Sequence, residues 1–532
     1  MYKEDYFQMI RKTAKVEKNK DAESIHLFMA MGQTANNHLV KAMEYELADT
    51  PIEITSGDFN RYWEELLLED KQADAIHIHE SSFQLYLAED FEAAVWQYVK
   101  QVEQICAKYP DTLLIINTLE YLPFRPTGNL EAVDEQGLVT IIREANTRLF
   151  ALADNHIKIN DTNYIANFVG LKHYFDTTML YHFSYGSSLE GQYYCAQSLR
   201  NILKAWLGKA KKGIISDLDN TYWPGIIGDK GAEMIQANLQ ERKNSNHRIY
   251  QKHLKKLEAA GIFMAAASKN DASISTEAKK LADFDWLFSL KQLNWLPKSD
   301  NLQAIAKKWN INPRDTIFID DNQRELAEIK ATLGEEQPTL HYNNQLDLFY
   351  ELEWRGYFEK ISLTETDKAR NNNFKKIEAE LASSTDLTSF LQSLQIELTY
   401  EAFTEANEAR VIQLLNKTNQ FNNNKTIFTL SKLKALEAEG KKITAVSYRD
   451  RLGEEGIISV VIHDETPRIH YWVMSCRVFK RGVEEAISKH IGMGNKIQID
   501  YRKTDKNHYF QDFLQSELGK KYLTGSLLTT SH

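Results

Sequence analysis

Three stretches near the middle of this chain end in side chains that could handle a phosphoryl group. Ile214-Ile215-Ser216 runs into Asp217-Leu218-Asp219-Asn220-Thr221, Gly261 to Ala267 runs into Ser268-Lys269-Asn270-Asp271, and Thr316 to Ile319 runs into Asp320-Asp321-Asn322. A carboxylate such as Asp217 can attack phosphorus and form an aspartyl-phosphate, dividing one hard displacement into two easier ones. Asp219 can protonate the leaving oxygen and later activate water. Ser268 and Lys298, with Lys291 a nearby competitor for the second role, offer a hydroxyl and a cation for phosphoryl oxygens whose charge must be neutralised in the transition state. Asp217, Asp219, Asp320 and Asp321 are candidate ligands for Mg²⁺, a small hard cation that takes carboxylates, water and substrate oxygens. Thr221, Trp223, Lys269 and Asn270 lie beside these groups and are candidate substrate contacts. A lone DxD more often caps a turn; the signal is the ordered set.

Each polar ending follows an apolar run of the length of a strand buried on both faces. In a parallel sheet all the carboxyl ends lie on one edge, where open α/β folds place their ligands. Segments far apart in sequence would therefore meet in one crevice. Upstream, Ser24–Met29, Asp74–His79 and Thr112–Leu119 read as strands separated by helical patterns, which implies another parallel sheet. Downstream, Ile396–Tyr400, Thr444–Arg449, Gly456–His463 and Arg468–Val473 are closely spaced strands, which predicts an antiparallel sheet with flanking helices. The expected division is an α/β domain over 1–205, a catalytic domain over 206–358, a helical linker over 359–390 with a break at Ser383-Ser384, and an α+β domain over 391–532.

A chain of 532 residues exceeds one hydrophobic core and implies several domains. Its net charge of -10 argues against a nucleic-acid partner that relies on a basic surface. Three widely separated cysteines, Cys106, Cys195 and Cys476, do not make a disulfide framework. No apolar run reaches the ~20 residues of a membrane span, and the charged N-terminus is unlike a signal peptide. The expectation is a cytoplasmic protein without membrane or nucleic-acid partners.

DLDNTYWPGIIGDKG (217–231), SKND (268–271), WLPKSDN (295–301) and IDDNQRE (319–325) resemble, in order, the motifs of the FkbH-like branch of the haloacid dehalogenase superfamily. TNQFN (418–422), DRLGEEGIISV (450–460) and SCRVFKRGVEEA (475–486) resemble the domain that follows in that family, and NRYWEELL (60–67) its N-terminal domain. The resemblance implies an SGNH-hydrolase-like or flavodoxin-like α/β domain, a dehalogenase-type Rossmannoid domain and an acetyltransferase-like (GNAT) domain. It also implies a Mg²⁺ enzyme that takes a glyceryl group from 1,3-bisphosphoglycerate, removes phosphate, and loads an acyl carrier protein thiol for natural-product biosynthesis. Several members carry Cys between the two motif aspartates. Here that position is Leu218, which forms no thioester, so direct transfer or simple hydrolysis of a phosphate ester gains ground. Tyr222 and Pro224 also replace the usual Leu and Gly. The competing expectations are a stand-alone phosphatase, and a GNAT-type acyltransferase or carrier-docking scaffold.

The flanking motifs carry less. Arg477 and Gly482 sit where GNAT proteins hold the CoA pyrophosphate and are candidate contacts for CoA or a carrier's phosphopantetheine arm, but Lys480 replaces a glycine that permits close phosphate approach. Cys476 follows an apolar strand, as packed cysteines do. After the first strand, Gln33 and Thr34 stand where an SGNH hydrolase needs Ser, which predicts a degenerate domain. His77 and His79 share a strand face without a third metal ligand, and a structural role is the simpler reading.

Overall fold

Runs such as Ala75–His79 and Leu113–Asn117 are buried at every position, so each must be covered on both faces, the condition of a parallel sheet between helices. The structure is a computed structural model. It describes residues 24–31, 37–58, 61, 63–184, 186–281, 284–383, 391–504 and 506–527. Gln33, Thr34 and Ser384, and Asn60 and Tyr62 of the 60–67 motif, lie outside the described residues.

The chain forms two compact units. The first, Met1–Leu207 with Thr426–Gly440, holds a five-stranded parallel sheet. Its strands are β1 (Ile25–Met31), β2 (Ile52–Ser56), β3 (Ala75–His79), β4 (Leu113–Asn117) and β5 (Ile157–Asn160), in the order β2-β1-β3-β4-β5. This is the flavodoxin-like order. His77 and His79 lie side by side in β3 with ring centroids 6.0 Å apart, both on the Asn117 amide. Burial pushes their imidazoles down to about 4 and about 3.

The second unit, Gly208–Lys425 with Lys441–Thr529, holds two sheets. The first comprises β6 (Gly213–Ser216), β7 (Phe263–Ser268), β8 (Leu290–Leu293), β9 (Thr316–Asp320) and β10 (Thr339–His341), all parallel, in the order β10-β9-β6-β7-β8. The order reverses between β6 and β9, so the crevice of a doubly wound sheet lies beyond their carboxyl ends. Ile214, Ile317 and Trp223 pack on one face of this sheet and Ile215, Phe318 and Leu302 on the other.

The other sheet comprises β11 (Glu397–Ala402), β12 (Lys442–Asp450), β13 (Gly453–His463), β14 (Arg468–Met474), β15 (Ile497–Tyr501) and β16 (Leu523–Leu527), in that order. The four strands expected to pair antiparallel do so, and two further strands extend the sheet in the other sense. β11 to β14 are antiparallel, but β14–β15 and β15–β16 are parallel. The reason is the helix Val483–Gly492 between β14 and β15, which returns the chain to its starting end as a hairpin does not. The segment before β11 is more than a tether. In the helix Glu365–Ser383, Arg370 donates to Gly261 O and Asn371 to Ile262 O, while Asn373 donates to Glu455 of β13. Among the described residues no helix is long and apolar enough to cross a membrane.

Candidate active site

The DLDNT segment turns sharply at the end of β6. Leu218 O accepts from the N–H groups of Thr221, Tyr222 and Trp223 at 3.2, 2.8 and 3.1 Å. Asn220 holds φ at 58°, the left-handed region that Asn tolerates better than most residues, and its side chain accepts from Gly225 N at 3.0 Å. This turn sends Leu218, fully buried, into the core beside Tyr222 and Trp223. Asp217 keeps the opening.

Around Asp217 the other strand ends close in. Lys298 opens the helix Lys298–Lys308 and is 2% exposed. Its ammonium donates to Asp217 Oδ1 at 2.5 Å and to Ala267 O at 2.5 Å, and stands 3.4 Å from Asp320 Oδ2. Asp321 is tied to the DLDNT turn: Thr221 Oγ1 donates to Asp321 Oδ1 at 3.2 Å and accepts from Asp321 N at 3.0 Å. Asp217, Asp320 and Asp321 each offer an oxygen within 4.8 Å of the others.

Three carboxylates facing one ammonium leave excess negative charge in a largely dry place. Burial pushes the Asp217 carboxyl up, and the pull of Lys298 does not fully reverse it. Burial and then the charge of Asp217 push Asp320 up to about 7. Burial opposes the Lys298 charge, yet Asp217 and Asp320 outweigh it and raise that ammonium. Asp320 Oδ2 is buried with no hydrogen bond, only the ion pair to Lys298. An all-oxygen donor set with an orphaned buried oxygen and surplus negative charge fits Mg²⁺.

Not every predicted residue joins this cluster. Asp219 does not bring its carboxylate into the triad: Oδ1 accepts from Trp223 Nε1 at 2.8 Å and Ile227 N at 3.0 Å, and Oδ2 from Asn270 Nδ2 at 2.9 Å. Alternation puts Leu218 into the core but does not aim Asp219 at the other carboxylates, because the turn rotates it toward the following loop. Asn270 Nδ2 also reaches Ser268 Oγ at 3.0 Å, so it links the β7 hydroxyl to Asp219. Trp223 is fully buried; it orients Asp219 and presents no face to a substrate. Thr221, equally buried, braces Asp321. Lys269 is paired with Glu325 at 2.7 Å.

Sequence reasoning overlooked Glu328. Its carboxylate accepts from Ser299 N at 3.2 Å and Ser299 Oγ at 2.5 Å, clamping the first turn of the Lys298 helix and complementing its dipole. No local pattern marks it, since the partners are brought together only by the packing of two helices. At the other predicted site, Arg477 donates to Glu455 at 2.8 Å, and the Lys480 N–H is taken by Tyr509 Oη at 3.1 Å. Gly482 is the left-handed N-cap of the helix Val483–Gly492, in whose first turn the buried Glu484 lies. A carboxylate beside this loop, with an N–H already occupied, does not fit the pyrophosphate of CoA or the phosphate of a phosphopantetheine arm.

The structure is similar to the crystal structure of the N-terminal part of a Bacteroides fragilis protein that contains a phosphatase domain, complexed with Mg. The match covers 68% of this chain and 100% of that one, at 21% identity and a TM-score of 0.62, and it shows the fold. An uncharacterised Corynebacterium glutamicum protein also matches (15% identity, 28% of this chain, 98% of that one, TM-score 0.20). So does a salicylyl-acyltransferase from a tetracycline biosynthetic pathway (16% identity, 36% of this chain, 56% of that one, TM-score 0.26). These two TM-scores are too low to carry an argument. No protein-family model and no curated protein matches the chain.

Proposed function

We propose that this chain is a Mg²⁺-dependent phosphatase or phosphotransferase of the haloacid dehalogenase type, of the FkbH-like branch, acting on a small phosphorylated acid. The observation that carries the reading is the meeting of Asp217, Asp320, Asp321 and Lys298 at the reversal point of the parallel sheet. The Mg complex of the Bacteroides fragilis phosphatase-domain protein supports the same reading.

Asp217, Asp320 and Asp321 would hold Mg²⁺, which when bound supplies charge neutralisation for the phosphoryl oxygens. Lys298 fixes one oxygen of Asp217 by hydrogen bonding and leaves the other free to attack phosphorus. Ser268 Oγ and the Asn270 amide offer hydrogen bonds on the β7 side. Asp219 is held by three donors until substrate enters, so passing a proton requires one of them to let go. Water then cleaves the aspartyl-phosphate with Asp219 as base. Leu218, buried in the core, offers no thiol for a covalent acyl intermediate; the finer reading is therefore hydrolysis, or direct glyceryl transfer to an acyl carrier protein.

The test incubates the protein with Mg²⁺, 1,3-bisphosphoglycerate and a holo acyl carrier protein, and follows phosphate release together with carrier mass. Mg²⁺-dependent phosphate release that is lost in Asp217→Asn is the expected result. A glyceryl gain on the carrier selects transfer; phosphate without it selects hydrolysis. Full turnover in Asp217→Asn contradicts the assignment.

A further inference from the structure

A second cavity, with cations set among apolar side chains, lies within the same unit, apart from the Asp217 cluster. Its volume is about 60 Å³, room for one compact anion rather than a large ligand. Its walls are the β14 end (Met474, Ser475), the turn after it, the end of the helix Glu408–Lys417, and Arg370 from the helix Glu365–Ser383. Five cations line it: Lys212, Arg370, Arg410, Lys417 and Arg477.

Three of the five have carboxylate partners. Lys212 pairs with Asp315 at 2.7 Å, Arg370 with Asp367 at 2.9 Å and Arg477 with Glu455 at 2.8 Å. Among the described residues Arg410 reaches only the carbonyl of Ile457 at 3.2 Å and the Gln413 amide oxygen. The Lys417 ammonium makes no hydrogen bond or ion pair among the described residues. Asp367 answers the fields of Arg370, Lys417, Arg410 and Lys360 together, and Glu455 adds to it only at Arg370 and Arg410. Burial, with the neighbouring cations, pushes Arg410 down to about 9 and Lys417 well below the ordinary lysine range. Buried charges without partners are costly, and the cost disappears when an anion enters. The uncharged lining, Thr418, Asn419, Gln420 and Ser475, adds hydrogen-bonding groups of the kind that orient a ligand.

We infer that this cavity binds a small phosphate-bearing anion, with Arg410 and Lys417 meeting the phosphate. A guanidinium fork and an ammonium unclaimed by protein carboxylates suit a compact dianion better than a single carboxylate. The inference does not depend on the phosphatase reading.

Cys476 supplies a local reporter. It lines the cavity and is partly exposed, whereas Cys106 and Cys195 are buried and their thiols are pushed up to about 12 by burial. Iodoacetamide alkylation of Cys476, followed by peptide mass mapping, is measured with inorganic phosphate, with glycerol 3-phosphate, and with sodium chloride at equal ionic strength. Saturating phosphate anion should slow Cys476 alkylation about tenfold or more by mass action, in both wild type and Asp217→Asn. In Lys417→Met the protection should vanish, while the melting temperature without phosphate equals or exceeds that of wild type. Stronger protection by inorganic phosphate points to free phosphate as the ligand, and stronger protection by the ester to an organic phosphate. Should Lys417→Met fail to fold, Arg410→Gln decides by the same loss of protection. Absence of protection, protection equalled by chloride, its loss in Asp217→Asn, or its persistence in the folded cavity variant overturns the inference.

Discussion

Replacing Lys298 by Met keeps the aliphatic stem and removes the one ammonium between two buried carboxylates. In the native protein that ammonium lies 2.5 Å from Asp217 Oδ1 and 3.4 Å from Asp320 Oδ2, with 2% of its side chain exposed. Removing one partner of a buried ion pair costs roughly 3–5 kcal/mol, because the remaining charge is left without compensation. The loss must also depend on pH in a fixed direction. Asp320 already holds its proton up to about 7 through burial and the charge of Asp217, so its folded value lies above its unfolded one and its ionisation destabilises the fold as pH rises. Without Lys298, which pulls both carboxyls down, the variant retains protons to still higher pH. Each pH unit over which it holds one proton more than the wild type adds about 1.4 kcal/mol to the difference. Urea denaturation in EDTA should therefore show a loss of roughly 3–5 kcal/mol at pH 8 and at least about 1.4 kcal/mol less at pH 6. Added Mg²⁺ should recover part of the loss at pH 8. A deficit below about 1 kcal/mol at pH 8, or one of equal size at both pH values, refutes the charge arrangement described here.

Other substitutions test separate links. Trp223→Phe removes the indole N–H on Asp219 but keeps most of the packing; Mg²⁺-dependent turnover should fall about 10- to 100-fold, with about 1–2 kcal/mol of stability lost, as read by kinetics and melting. Asp367→Asn should lower stability by roughly 3–5 kcal/mol, because it breaks the buried pair with Arg370. Burial resists the Asp367 charge, but Arg370, Lys417 and Arg410 outweigh it and hold that carboxyl below the usual range. Its contribution is complete above about pH 4 and fades as pH falls toward the native value, so acid titration of stability should show a smaller slope in Asp367→Asn. Glu328→Gln should loosen the first turn of the Lys298 helix, costing about 1 kcal/mol and raising KM more than it lowers kcat.

Much of this site was legible because parallel strands share a carboxyl edge: Asp217, Ser268 and Asp320 each end or directly follow a buried apolar run, so their convergence follows from the sheet. Lys298 was legible only as one of two lysines. Lys291 pairs with Asp285 at 2.9 Å and lies over Phe284. The orientation of Asp219 was hidden, because it depends on a tight turn and on Asn270 from another strand end. Trp223 read as a substrate contact for the same reason: its burial is a tertiary fact. The cavity of cations was equally hidden, since Lys212, Arg370, Arg410 and Arg477 come from four elements with no common motif. The parallel pairing of β15 and β16 escaped because short strands after helices give weak periodic signals.

The central claim is that Asp217 receives the phosphoryl group with Mg²⁺ held beside it. Acid quenching during turnover of a phosphorylated substrate, followed by peptide mass mapping, tests this most directly. A phosphoryl adduct on Asp217 that forms only with Mg²⁺ and is missing in Asp217→Asn is the expected result. Turnover with the adduct on Ser268, or an Asp217 adduct that forms equally well in EDTA, contradicts it.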